Sequence, residues 1–214
     1  MSARDRLLAG IAGQLGNPHG ALGRFTGRLL NRGNKTTIES AIRSLDARPS
    51  DVLADLGFGG GEGLAQLLKV VDDRGSVVGV DRSSTMLNAA RRRFHKEVAA
   101  GRLQLHEGSM ERLPLAEQSI DAAISVNTVY FVPDLAPVFK ELARVLRPNG
   151  RLVVGVGDPT AMERMPFAAH GFILRPIDEI TTIAKTAAGL TLSDNRLGKE
   201  ADSYHLLCAR IGEP

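Results

Sequence analysis

The chain has 214 residues, a formal net charge of +3, 43% hydrophobic residues and no tryptophan. That length, with an ordinary apolar fraction and no Pro/Ser-rich linker, reads as one domain over 1–214 with a full core, and the charge is too small by itself to mark a nucleic-acid binder. A single cysteine, Cys208, excludes a disulfide framework and a cysteine metal cluster; without a signal peptide or an apolar run of membrane-spanning length, a cytoplasmic setting and no metal are expected.

Residues 1–48 differ in texture from the rest of the chain. Leu7, Leu8 and Ile11, then Leu22, Phe25, Leu29 and Leu30, suggest two short helices broken by Gly16-Asn-Pro-His-Gly20, and Thr36 to Leu45 reads as a further helix. Eight basic residues here face three acidic ones, so the basic excess is concentrated at this end. A solvated helix face accounts for that pattern; the sharper reading is a lid over residues 1 to about 35, with His19, Arg24 and Arg28 meeting the acceptor.

Residues 49–158 form the organising core. In Asp51-Val-Leu-Ala-Asp-Leu-Gly-Phe-Gly-Gly-Gly-Glu-Gly63, an apolar strand runs into a glycine-dense turn and then a helix carrying Leu64, Leu67, Leu68 and Val71 at helical spacing. Glycines let a backbone turn sharply and approach a ligand, and a helix N-terminus beside a strand's carboxyl end offers unpaired N–H groups. A dinucleotide fingerprint needs G-x-G-x-x-G/A, and every register fails: from Gly57 the last position is Glu62, from Gly59 it is Leu64, from Gly61 it is Gln66. The spacing is instead Asp55-x-Gly57-x-Gly59-x-Gly61. About 20 residues on, the apolar run Val77-Val-Gly-Val ends in Asp81, whose carboxylate at a strand tip can accept ribose hydroxyls, with Arg82 and Ser83 opening the next helix.

That helix is expected to bury Met86, Leu87, Ala90 and Phe94 and to expose Arg91, Arg92 and Arg93. Leu103–Glu107 alternates as a third strand, followed by Gly108-Ser-Met. Ile120–Val126 is apolar enough to lie centrally, and Asn127-Thr-Val-Tyr-Phe131 leaves its carboxyl end. A clean helix comes next, with Asp134 as N-cap, Pro137 in its first turn and Leu135, Val138, Phe139, Leu142, Val145 and Leu146 as one stripe. Arg151–Val156 is a fifth strand. In the substrate-side segment, 159–214, a short helix over Met162–Gly171, a helix over Ile177–Ala188 and a hairpin of Thr191–Leu197 with Tyr204–Ala209 are expected. The alternation of strand and helix predicts an α/β, doubly wound parallel sheet.

The acidic-Gly-x-Gly-x-Gly run and the second strand ending in Asp81 resemble the first two motifs of the class I S-adenosylmethionine-dependent methyltransferases. The texture is most similar to the ubiquinone/menaquinone C-methyltransferase-like group, type 11. The resemblance implies a Rossmann-like sheet of seven strands with an antiparallel last strand. It also implies S-adenosyl-L-methionine as cofactor, yielding S-adenosyl-L-homocysteine. Its binding residues are then Asp55 near the amino-acid end, Gly57, Gly59 and Gly61 below the methionyl and ribose portions, and Asp81 and Arg82 at the ribose. Asn127 stands below the sulfonium, with Asp121 in the family's acidic position within that strand. Where the family usually reads Gly-Asp-Ala, this chain has Ser109 and Met110; a hydroxyl and a thioether can still meet the adenine edge and face.

Methyl transfer needs alignment and dehydration of the nucleophile, and a base where that nucleophile carries a proton. His19, Tyr130, Asp158 and His170 are the candidate bases, whereas His95, His106 and His205 read as surface or sheet positions. The chain lacks the Asn/Asp-Pro-Pro-Tyr run of amino-group methylation and a cysteine near the fourth strand. The expected function is methylation of a small-molecule acceptor with apolar character, with nucleic acid not expected as a partner. An RNA or protein methyltransferase and a non-catalytic cofactor-binding subunit are the rivals.

Overall fold

The computed structural model describes residues 34–166, 168–198 and 203–212. The helical pair expected before residue 34 lies outside them. Helix α1 covers 34–44; then come β1 (Val52–Leu56), α2 (Glu62–Val70), β2 (Ser76–Asp81), α3 (Ser84–Arg93), α4 (His95–Ala99), β3 (Leu103–Glu107) and β4 (Ile120–Val126). A 3-10 turn at Val129–Phe131 leads to α5 (Leu135–Val145), β5 (Leu146–Gly157), α6 (Pro159–Glu163), α7 (Ile177–Ala188), β6 (Ser193–Leu197) and β7 (Tyr204–Arg210).

The strands form one seven-stranded sheet in the order β3-β2-β1-β4-β5-β7-β6. β1 pairs in parallel with β2 and β4, β2 with β3, and β4 with β5, while β7 is antiparallel to both β5 and β6. The chain therefore runs outward from β1 to β3 and re-enters beside β1 at β4. That reversal opens a crevice at the carboxyl ends of β1 and β4, where open α/β sheets receive their ligands.

Continuous apolar runs in β1, β2 and β5 arise from cover on both faces. On one face Ala41 and Leu45 near α1, Leu64 and Leu67 of α2 and Leu87 of α3 are buried together. On the other, Leu135, Phe139 and Leu142 of α5 pack with Ile180 and Ala184 of α7. The stripe expected in α5 is buried throughout, and Asp134 caps it by accepting the Ala136 N–H at 2.9 Å.

Three expectations are corrected. The helix after Ser83 breaks at Phe94 (φ −110°, ψ 31°), whose ring turns inward, so α3 and α4 are separate. β5 begins at Leu146, because the Pro-Asn-Gly turn is paired by the chain's end: the Asn149 N–H donates to the Ile211 carbonyl at 3.0 Å and the Ile211 N–H to that of Gly150 at 2.8 Å. The helix expected over Met162–Gly171 is instead α6, because Asp158 accepts the Ala161 N–H with Pro159 behind it and starts the turn early.

A buried ion pair ties this sheet to the chain entering it. Arg151 of β5 donates to the Asp51 carboxylate and, at 2.9 Å, to the Asp46 carbonyl, and the side chains of Arg151 and Asp51 are about nine-tenths buried. The Asp51 carboxylate also accepts the Arg48 N–H at 2.8 Å. Removing one member of such a pair strands the other charge. Asp51→Ala should therefore destabilise the fold by about 3–5 kcal/mol in urea unfolding, a large share of the stability of a domain this size.

Candidate cofactor and acceptor site

A cavity of about 730 Å³ opens at the β1/β4 crevice. Its walls come from residues far apart in the chain: α1, the loop after β1, the tip of β2, the turn after β3, the segment after β4, and the region from Gly157 to Tyr204. Two halves differ in chemistry.

The first half is polar backbone and carboxylate. Gly57, at φ +80°, donates its N–H to the Val80 carbonyl at 2.7 Å, and a Cβ here would collide with the Thr128 methyl. Only glycine allows β1 and the segment after β4 to approach this closely. Gly59, at φ +49°, donates its N–H to Asp81 Oδ2 at 2.8 Å, and its missing Cβ points into open space among the described residues. Gly61, at φ +76°, caps α2 and stands against the Phe94 ring. It does not line the cavity, so its place in the run is conformational.

Asp81 is buried and accepts the Ser83 N–H on Oδ1 at 2.8 Å, while Ser83 caps α3 by accepting the Met86 N–H. Burial raises the Asp81 carboxyl above the usual range, and the N–H groups of Ser83 and Gly59 oppose that rise. Asp55 lies deeper, against the start of α2: a Cβ on Gly63 would collide with its Oδ2, and the Leu64 N–H donates to it. Burial, then the nearby Asp81 charge, push the Asp55 carboxyl up to about 8. Arg82, Ser109 and Met110 also line the wall. The Ser109 hydroxyl is turned to Glu111, donating to its Oε2 at 3.1 Å and accepting its N–H at 3.3 Å. Met110 Sδ lies 3.6 Å from Ser125 Oγ, beside the buried hydroxyl that donates to the Leu56 carbonyl and so joins β4 to β1.

The second half is apolar. Phe131 and Phe172 lie 4.8 Å apart between ring centroids and Tyr130 and Phe172 5.8 Å apart, with Val132, Met162 and Met165 completing the wall. Buried Arg175 holds this wall, donating to the carbonyls of Val129 at 3.4 Å, Val132 at 3.0 Å and Pro133 at 2.6 Å. Thr36, Thr37 and Ile38 of α1 close over the cavity.

Among the candidate bases, His19 lies outside the described residues, as do Arg24 and Arg28. His170 does not line the cavity. Tyr130 does, but its hydroxyl accepts the Gly157 N–H and donates to Asn127 Oδ1 at 3.3 Å, and burial raises its pKa. It is a fixed hydrogen-bond donor and not a base. Asp158 lines the rim with its carboxyl held low, first by the Ala161 N–H, and is paired to Arg196 at 3.2 Å and to His205 at 3.3 Å. Asp121 sits at the amino end of β4, accepting the Val52 N–H at 2.8 Å and pairing with Arg147 at 2.6 Å, so it braces the sheet away from the cavity.

His205, read from the sequence as a sheet position, is a buried residue of β7 with Nδ1 2.8 Å from Asp194 and Nε2 3.3 Å from Asp158, and sequence reasoning missed that pairing. It also passed over Tyr204, Phe172 and Arg175, which stand among irregular or weakly patterned residues. The basic cluster on α3, Arg91, Arg92 and Arg93, is exposed as expected, and Arg93 also donates to the Gly60 carbonyl at 3.1 Å and lies over the Phe94 ring.

Residues 54–154 match the family described as methyltransferase domain. The chain is 42% identical over 117 residues to an uncharacterised 37.1 kDa protein of a Streptomyces fradiae transposon, covering 55% of this chain and 33% of that protein. It is 33% identical over 114 residues to the 2-phytyl-1,4-naphtoquinone methyltransferase of Synechococcus elongatus, covering 53% of this chain and 49% of that one. The chain thus spans half or less of the length of these relatives. A solved S-adenosylmethionine-dependent methyltransferase from Aquifex aeolicus superposes with a TM-score of 0.68 at 19% identity, over 81% of this chain and 89% of that chain.

The glycine loop and the two acids fit S-adenosylmethionine: Asp81 has acceptor capacity left for ribose hydroxyls, and Asp55 is a carboxyl awaiting a cation. Its folded pKa of about 8 exceeds the ordinary 3.8, so its stabilising contribution is full below about pH 4 and is lost as the pH rises through 8. An ammonium placed beside it would favour the ionised form. S-Adenosylhomocysteine binding at pH 7 should then release a proton, seen by calorimetry in two buffers of different ionisation enthalpy, and affinity should rise toward pH 8. Asp55→Asn should flatten that dependence; an unchanged pH profile would remove Asp55 from the cofactor contact.

Gly59→Val tests the loop. The left-handed backbone costs a branched residue on the order of 1–2 kcal/mol, which the fold can absorb, but the side chain would fill the cofactor's space. Calorimetry should show cofactor binding lost while circular dichroism reports a folded protein with a lowered melting temperature.

Proposed function

We propose that this chain, whose residues 54–154 form a class I S-adenosylmethionine-dependent methyltransferase domain similar to the quinone C-methyltransferase group, transfers the cofactor's methyl group to a small acceptor with a substantial apolar body. One observation carries the acceptor class: the polar cradle continues without a break into a wall of Phe131, Phe172, Met162 and Met165. Such a wall desolvates an apolar molecule and gives little to hold a nucleotide backbone or a peptide.

When bound, the cofactor supplies an activated methyl group; the protein's residues bind, align and dry the acceptor. Asp55 and Asp81 hold the polar end of the cofactor, and the Gly57–Gly59 backbone leaves room for it. Thr128 and the Asn127 amide line the junction of the two halves, and buried Ser125, 2.5 Å from the Thr128 hydroxyl, backs them. Arg175 fixes the 129–133 segment, so the apolar wall faces the cofactor in one arrangement. Residues of α1 line one side of the cavity, and displacement of water by a bound acceptor favours transfer to it over hydrolysis. None of the described side chains is a free base poised over the cavity, which suits an acceptor that is acidic on its own or loses its proton to solvent.

Incubating the protein with methyl-labelled S-adenosylmethionine and cell extract should place label in low-mass, solvent-extractable material that resists ribonuclease and protease. Label on RNA or protein would replace this reading with the macromolecular one. Cofactor binding with no labelled product from any extract would favour a binding subunit.

A further inference from the structure

Four groups at the junction of the two halves form a hydrogen-bond chain that starts at a backbone donor and runs from Tyr130 through Asn127 to Tyr204. A backbone N–H can only donate, so the Gly157 N–H makes the Tyr130 oxygen an acceptor. The Tyr130 proton then goes to Asn127 Oδ1 at 3.3 Å. This sets the amide orientation, because its oxygen is committed to Tyr130, and Asn127 Nδ2 donates to the Tyr204 oxygen at 3.2 Å. The Tyr204 oxygen is therefore an acceptor within the chain, and its own proton has no acceptor among the described residues. Tyr204 is half-buried and lines the cavity, beside the segment carrying Met162 and Phe172.

Asn127 is held for this purpose in a left-handed conformation, φ +59°, uncommon for a residue with a side chain. Its N–H donates to the Gly155 carbonyl at 2.9 Å, which anchors the amide to β5. Tyr204 is anchored independently, since it opposes Gly157 in the β5–β7 ladder. The relay thus joins β4, β5 and β7 and ends in one oriented donor beside the apolar wall.

We propose that Tyr204 is the acceptor-recognition residue: it donates its hydroxyl proton to an oxygen, such as a carbonyl, on an acceptor whose remainder is apolar, and so sets which face of that molecule meets the methyl group. The proposal rests on the methyltransferase reading for its consequence and on the relay for its chemistry. A donor of this kind, covered by a bound acceptor, discriminates, because an acceptor lacking the oxygen leaves the hydroxyl unpaired.

The test uses two probes of one shape, 1-tetralone and tetralin, which differ in a carbonyl, with binding to the full chain measured by equilibrium dialysis with and without saturating S-adenosylhomocysteine. The wild type should prefer tetralone. Tyr204→Phe removes the donor and keeps the ring, and should weaken tetralone binding about five- to tenfold, the worth of one hydrogen bond, while leaving tetralin unchanged. Asn127→Asp keeps the Tyr204 hydroxyl but supplies only acceptors, so the Tyr204 proton should turn to the new carboxylate and tetralone should weaken likewise. A ring serving only to pack would leave the Asn127→Asp protein's preference intact. Equal binding of both probes by the wild type, or a preference retained in both variants, overturns the proposal. Affinity of the wild type for S-adenosylhomocysteine reports separately on the methyltransferase reading: losing it while tetralone is still preferred sinks that reading and leaves Tyr204 as a recognition residue.

Discussion

The Asp81 carboxylate is the joint on which the site depends. One of its oxygens accepts the Gly59 N–H and the other the Ser83 N–H, so a single side chain at the tip of β2 fixes the loop after β1 and starts α3. A loop of four glycines within five residues has a large conformational entropy to lose, and a charge-capable acceptor with two fixed partners offsets that loss. Burial makes the carboxylate expensive to ionise, and the N–H groups keep it supplied with donors. The same arrangement leaves lone pairs directed at the cavity.

Behind it, Asp55 is also held above the usual carboxyl range, by burial and then by the nearby Asp81 charge. It is surrounded by apolar strands, close to a like charge, and held by the first turn of α2. A fold that keeps such a residue loses stability near neutral pH, and a cationic ligand group recovers it. Two acids at neighbouring strand tips thus differ in environment: Asp81 is held by two backbone N–H groups, while Asp55 is buried beside a like charge.

The apolar half is built differently. Its rings come from segments with little regular structure, and they are held by carbonyls bonded to Arg175 and by the Ile173 N–H donating to the Tyr130 carbonyl at 2.9 Å. Irregular backbone is anchored here by donors reaching in from both sides. A scaffold whose sheet is fixed and whose acceptor wall is made of loops can change its acceptor without disturbing its cofactor cradle.

The range of each interaction decides how much of the molecule is legible in its sequence. β1, α2, β2, β4, α5 and α7 were readable because each declares itself locally: a run of apolar residues, a stripe at helical spacing, Asp134 or Ser83 at a start. The glycine spacing and Asp81 were readable because a loop approaching a ligand needs residues without Cβ and a strand tip needs an acceptor, whatever lies elsewhere. The role of Gly61, by contrast, was decided by Phe94 packing against it, and the break at Phe94 by the core that draws in its ring. Asp121 was legible as the acidic position within the fourth strand, but that it braces the amino end of β4 is shown only by its pairing with Val52 and Arg147. Phe172 and Arg175 carry no local signal. Tyr204 opens a strand that is legible in the sequence, but its place beside Asn127, 77 positions away, follows only from β7 inserting between β5 and β6. Local sequence determined the elements and the cofactor cradle; the acceptor side was decided by tertiary structure, because its contacts span the chain and depend on which strand becomes neighbour to which.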